Sequence, residues 1–165
     1  MFEAFSVLKR EFPAASLYLV VEGSYRALLE NRAEIAGIGS SVKFLGWRDD
    51  ALEILAAADV VVHSSLVEAF GLAVVEAMAL GKPLVCTDVA DVREILAPYG
   101  RIVPPADSDA LVEALRWTLA NLEEANRLAG RGKIHILESM TASQMAQRHV
   151  EVYRSVMAAH HQLLA

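Results

Sequence analysis

Val60-Val61-Val62-His63-Ser64-Ser65-Leu66-Val67-Glu68-Ala69-Phe70-Gly71-Leu72-Ala73-Val74-Val75-Glu76-Ala77-Met78-Ala79-Leu80-Gly81-Lys82-Pro83-Leu84-Val85-Cys86-Thr87 is the stretch on which the reading of this chain turns. Val60 to His63, after Asp59, is an apolar run with the pattern of a parallel strand buried on both faces. Leu72, Val75, Ala79 and Leu80 recur at helical spacing, and Gly81 with Pro83 ends that helix. Leu84 to Thr87 reads as the next strand. A helix that starts at the carboxyl edge of a parallel sheet points its free N–H groups outward, and its dipole makes that point a seat for phosphate. Gly71 lets a ligand come close to the backbone there. Glu68 precedes the helix, and Glu76 lies about one and a half turns inside it. That is too deep to cap the helix, but it suits a carboxylate accepting two ribose hydroxyls. Taken alone, two Glu residues eight apart have a plainer reading as solvated surface charge. Their shared strand–loop–helix setting is what places both beside the phosphate seat.

Outward from this unit, strands and helices alternate. Phe2, Phe5, Leu8 and Phe12 predict an opening amphipathic helix, followed by a strand Leu17–Val21 closed by Glu22-Gly23. Ser24 is a candidate cap for the helix that runs to about Gly37. Val42–Leu45 is a strand ending at Gly46, and Asp49 or Asp50 opens a short helix to Ala58. Val92 to Leu96 is a brief helix and Arg101–Val103 a short strand. Asp107 or Ser108 caps a long helix with Leu111, Leu115, Leu119 and Leu122 on one face, and a last helix runs from Ser143 to about His160. Arg131 and Lys133 read as loop charges. The fold class is therefore α/β, a Rossmann-like doubly wound parallel sheet with helices on both faces. Ligands of such sheets bind outside the carboxyl ends of the strands. Glu22-Gly23, Leu45-Gly46, His63 to Phe70 and Thr87-Asp88 all fall at that edge.

The 165 residues are expected to form a single domain, long enough to bury about 70% of the unfolded surface. A net charge of −6 argues against a nucleic-acid surface, which needs a basic face. No apolar stretch reaches the length of a membrane span, so no transmembrane segment is expected. The start, Met1-Phe2-Glu3-Ala4-Phe5, lacks a basic signal-peptide opening, and a cytoplasmic location is expected. The one cysteine, Cys86, excludes an internal disulfide and a Cys-based zinc site, and its strand position predicts a buried thiol. No Gly-x-Gly-x-x-Gly, Gly-x-Ser-x-Gly or P-loop is present, so dinucleotide oxidoreductase, hydrolase and NTPase readings lack their machinery.

Glu68 and Glu76 around Phe70-Gly71 resemble the E-x7-E signature of retaining glycosyltransferases of the GT-B fold, group 1. In that family the signature lies in the C-terminal, nucleotide-sugar-binding domain. The resemblance extends through Phe12-Pro13, Phe44-Leu45-Gly46-Trp47-Arg48-Asp49-Asp50, Ala57-Ala58-Asp59, Thr87-Asp88 with Glu94, and Val103-Pro104-Pro105 with Asp107, in matching order and spacing. It implies that main-chain amides of Phe70, Gly71 and Leu72 hold the donor diphosphate, that Glu76 binds the ribose, and that Glu68 contacts the transferred sugar as the catalytic residue. Backbone from Phe44 through Leu45 to Gly46 would grip the base, and Gly23 and Ser65 at the same edge complete the donor-binding set. No metal and no cofactor beyond the nucleotide-sugar substrate is implied.

The chain also departs from the family. The family's first strand, with its diphosphate-neutralising Arg and Lys, would precede Met1. Val21, Ala69 and Ala90-Asp91 stand where the family usually has glycines. The acceptor-binding N-terminal domain is absent, so the expected activity is a hexosyl transfer that this chain cannot complete alone, with the acceptor domain as partner, possibly on another chain. The alternative is a non-catalytic module that binds a nucleotide sugar or a protein. Without the central strand, Leu17–Val21 and Val60–His63 would expose unpaired main-chain groups; either the two strands close up and pair directly or another chain donates a strand, and closure is the expectation.

Other residues keep two readings. His63 is either a structural histidine or a ligand contact. Arg93 is a surface charge or a phosphate contact. Asp107-Ser108-Asp109 has a metal-binding D-x-D form but opens a helix, where capping explains it.

Overall fold

The computed structural model describes the backbone of residues 1–163 and the side chains of 1–158 and 160. Its strands are β1 (Leu17–Leu19), β2 (Val42–Phe44), β3 (Val61–His63), β4 (Leu84–Thr87) and β5 (Arg101–Val103). Helix α1 (Phe2–Glu11) precedes β1, and α2 (Arg26–Ile35), α3 (Ala51–Ala57), α4 (Leu72–Ala79) and α5 (Val92–Leu96) connect successive strands. After β5 come α6 (Ser108–Ala120), α7 (Leu122–Ser139) and α8 (Ala142–Leu163). The strand–helix alternation is the one the sequence pattern implies, and every strand pairing is parallel.

The pairing itself corrects one expectation. β1 pairs with β2, and β3–β4–β5 form a separate sheet, so β1 and β3 do not close up on each other. The reason lies in α1, which is wedged under both pieces. Its Phe5 packs with Ala33, Ile38 and Val42 on the β1–β2 side. Its Ala4 and Leu8 pack with Val85, Val103, Leu111 and Leu115 on the other. A helix about 10 Å across covers roughly two strand spacings of about 4.8 Å. Bringing β1 against β3 would require this packing, by α1 side chains that are 0–6% exposed, to be rebuilt on one of the two pieces. Arg116 of α6 clamps the same helix through Glu11, 2.6 Å away.

β4 is the centre of the core. Leu84 and Cys86 face Val74, Met78, Ile95, Leu96 and Ile136 of the helices on one side, while Val85 faces α1 and α6 on the other. Burial on both faces explains the unbroken apolar run, and each such side chain stabilises the fold by about 1.5–3 kcal/mol. Burial also pushes the Cys86 thiol up to about 12.

Three local expectations change. Ser24 does not cap α2, which starts at Arg26 behind Tyr25 with no side-chain cap; the Arg26 N–H bonds Gly23 O at 3.1 Å instead. The long helix after Asp107 breaks at Asn121, and the stretch read as loop becomes α7, with Arg131 and Lys133 on its surface. Gly132 is buried in α7 because a Cβ there would lie 2.8 Å from Tyr99 Cβ and 3.2 Å from Met78 Cε, so the glycine serves close packing of a helix and is no breaker. Asp107, by contrast, caps α6 as read, accepting the Ala110 N–H at 2.8 Å. Among the described residues no helix is long and apolar enough to cross a membrane.

Candidate functional site

β3 ends at His63, and the chain leaves the carboxyl edge of the sheet through Ser64 to Phe70 before entering α4. Thr87, at the end of β4 and 4% exposed, pins this loop by donating its hydroxyl to Ser65 O at 2.6 Å and facing His63 O at 3.3 Å. The pinned loop presents Glu68. Its Oε1 meets the Ser65 hydroxyl at 2.8 Å and His63 Nε2 at 2.9 Å. The hydrogen bond from Ser65 holds the Glu68 carboxyl below the usual carboxylate range; burial opposes this, and the adjacent His63 and the Ala69 N–H add to the lowering. One ring nitrogen of His63 is thus engaged with Glu68, and the other, Nδ1, is buried with no hydrogen-bond partner among the described residues.

Gly71 is the N-cap of α4 with φ of 91°, a left-handed conformation that favours glycine. A Cβ there would also press on Val92 Cγ2 at 3.4 Å. No side chain caps α4, and the first main-chain bonds of the helix run to Gly71 O from Val74 and Val75. The N–H groups of Phe70, Gly71, Leu72 and Ala73 therefore have no acceptor among the described residues, and the positive end of the helix dipole is open to an anion. The buried face of α4 is Val74, Ala77 and Met78, so Leu72 is left 67% exposed beside that opening. Glu76 lies on the exposed face with no hydrogen-bonded side-chain partner among the described residues.

The remaining edge residues form a second group. Gly46, at φ 70°, is buried against Glu22, whose Oε2 would lie 2.7 Å from a Cβ. The Leu45 N–H is taken by Leu19 O at 2.9 Å, and Phe44 O accepts from Arg26 Nη2 at 3.2 Å, keeping one lone pair. Gly23 is exposed in the turn after β1. Arg26, which belongs to none of the motifs, ties this corner together through Phe44 O, Glu30 at 2.9 Å and Glu22 at 3.7 Å. Its i,i+4 relation to both Glu22 and Glu30 was the available signal. Arg93 pairs with Asp88 at 2.5 Å on the surface. The chain thus brings Ser65, Glu68, Phe70, Gly71, Leu72 and Glu76 together on one strand–loop–helix, with Gly23 and Phe44–Gly46 on the β1–β2 piece. A small hollow lies elsewhere, between Pro83, Tyr99, Arg101, Trp117 and Leu128.

Known proteins share this fold. The family described as Glycosyl transferases group 1 matches residues 1–135. The chain is 35% identical over 153 residues to a phosphatidyl-myo-inositol mannosyltransferase of Mycobacterium leprae, covering 88% of this chain and 39% of the relative. Its fold superposes on sucrose-phosphate synthase of Thermosynechococcus elongatus with a TM-score of 0.81 at 28% identity, covering 96% of this chain and 42% of that one. Anabaena HepE, solved in complex with UDP, matches with a TM-score of 0.85 at 25% identity over 93% of this chain and 44% of its own. HepE was also solved in complex with UDP-glucose. The chain spans about two fifths of the length of these relatives. Over that span, sequence and fold agree: the chain belongs to the group 1 glycosyltransferases.

Proposed function

We propose that this chain is the donor-binding domain of a retaining hexosyltransferase, the C-terminal half of a GT-B enzyme, with Glu68 and Glu76 as its E-x7-E pair. The observation that carries the reading is the uncapped N-terminus of α4 between a fixed carboxylate, Glu68, and a free one, Glu76. The N–H groups of Phe70, Gly71 and Leu72 take the diphosphate, Glu76 the ribose hydroxyls and Glu68 the transferred sugar. Phe44 O and the Leu45-Gly46 turn flank the base, and Gly23 and Ser65 border the site. Departure of the diphosphate is then eased electrostatically by the helix terminus. The HepE complexes support a uridine diphosphate sugar as donor.

Affinity is expected to be weak. The arginines near this edge are engaged with carboxylates, Arg93 with Asp88 and Arg26 with Glu22 and Glu30, so they neutralise their own partners before a diphosphate. Transfer requires the acceptor domain as partner.

Calorimetric titration with UDP, GDP, ADP and UDP-glucose tests the reading. Removing hydrogen bonds to a charged group costs on the order of 1.5–3 kcal/mol, so Glu76→Ala should weaken binding roughly ten- to hundredfold. Equal binding by the variant removes the ribose assignment. With UDP-glucose and an acceptor panel, the chain alone should give no transfer; transfer that Glu68→Ala abolishes would show it complete.

A further inference from the structure

We propose that His63 is a positioning residue for Glu68: its imidazole, with the Ser65 hydroxyl, locks one carboxylate oxygen and leaves the other turned to the ligand. This rests on the donor-binding reading above and adds a residue to it. Three observations converge. His63 Nε2 and Ser65 Oγ lie 2.9 and 2.8 Å from the same oxygen, Oε1. An ionised carboxylate only accepts, so the proton of the first bond resides on Nε2 and that of the second on the hydroxyl. The 3.4 Å between Ser65 Oγ and Nε2 then joins two groups whose protons both point to Glu68. Two donors fill the lone pairs of Oε1, and no side-chain donor reaches Oε2 among the described residues.

The second observation is that this geometry is imposed from below. The His63 side chain is only 12% exposed, and its position is set by β3, whose register places it opposite Cys86 on the core strand. The Glu68 side chain is 27% exposed and sits at the end of a five-residue excursion from the strand. The imidazole therefore refers a loop carboxylate back to the sheet. The third observation is the orphaned Nδ1, buried without a partner. A histidine retained only for packing would leave an apolar residue as an equal choice, since a buried polar atom without a partner is destabilising. The bond from Nε2 is the compensation, and Glu68 Oε1, at 2.9 Å against 3.4 Å for Ser65 Oγ, is its nearest side-chain acceptor among the described residues.

Loss of the imidazole frees Glu68 to turn about its side-chain bonds while Ser65 still holds one oxygen. The diphosphate seat on α4 does not depend on His63, whereas the sugar contact does. His63→Ala should therefore reduce affinity for UDP-glucose about fivefold and leave affinity for UDP within about twofold. His63→Gln, whose amide N–H reaches the Nε2 position, should restore most of the difference. Equal losses for both ligands, or no loss for either, overturn the proposal, because a purely structural histidine acts on the whole site. A second measurement needs no ligand. Long-range proton–nitrogen spectra should show a proton on His63 Nε2 in the parent chain, with its resonance displaced in Glu68→Ala. An unmoved resonance refutes the pairing. If neither ligand binds the parent chain while the resonance still moves, the His63–Glu68 pairing stands and the donor-binding reading fails.

Discussion

At Glu68 the loop after β3 directs two hydrogen bonds onto a single oxygen, while Glu76, eight residues on, has no side-chain partner among the described residues. The difference follows from position. Glu68 lies over the ends of β3 and β4, where Thr87 fixes the loop, and Glu76 lies on the solvent face of a helix. Ser65→Ala should destabilise the chain by about 1 kcal/mol at neutral pH by removing a charge-assisted hydrogen bond. The folded pKa of Glu68 is below the ordinary 4.5, so its contribution is complete above that value. The contribution is lost as pH falls through the folded pKa. Urea unfolding of parent and Ser65→Ala from pH 7 to pH 3 should accordingly show two curves that converge at the acid end. A constant offset across that range would mean that the serine stabilises the loop by some other route.

At the scale of elements, α7 sets two glycines in opposite surroundings one turn-face apart. A Cβ at Gly130 would meet nothing within 4 Å, whereas one at Gly132 would press on Tyr99 and Met78. Helix propensity alone favours alanine over glycine by about 1 kcal/mol. Gly130→Ala should therefore stabilise by up to about that amount. At Gly132 the same gain is opposed by overpacking at about 1–3 kcal/mol, and Gly132→Ala should be neutral to destabilising by about 2 kcal/mol. Thermal unfolding of the two variants checks the order; Gly132→Ala as stable as Gly130→Ala would mean that Tyr99 yields freely. These glycines also explain why α7 was hidden in the sequence. Glycine is a poor helix former, and only the closeness of Tyr99 and Met78 gives the buried one a purpose.

Across the whole molecule, the divided sheet is the feature with the widest consequences. The Val61 N–H bonds Pro83 O, so strand alternation turns the main chain of Val62 toward the open side of β3. Leu19 O accepts from Leu45, so by the same alternation Val20 faces away from β2. Amide exchange should therefore be faster at Val62 and Val20 than at Val85 and Cys86, which lie in the buried middle strand. Equal protection at all four would show that the two sheets join in solution. The same measurement with UDP-glucose present would show whether filling the site draws the pieces together.

The order of the five strands, the buried thiol, the cap at Asp107 and the placing of Glu68 and Glu76 on one strand–loop–helix were legible in the sequence. Each depends on local periodicity, on turn chemistry or on spacing within one strand–loop–helix. The partner of His63, the corner built on Arg26, the true role of Gly132 and the divided sheet were not. His63 and Glu68 are neighbours in the sequence, but their bond depends on a loop held by Thr87 from another strand. The sheet stays divided because α1 packs on both pieces at once, and the balance between unpaired strand edges and a helix wedged beneath them is a property of packed volume. Periodicity names the faces that must be buried. Which of two burial demands prevails is decided only when the elements meet.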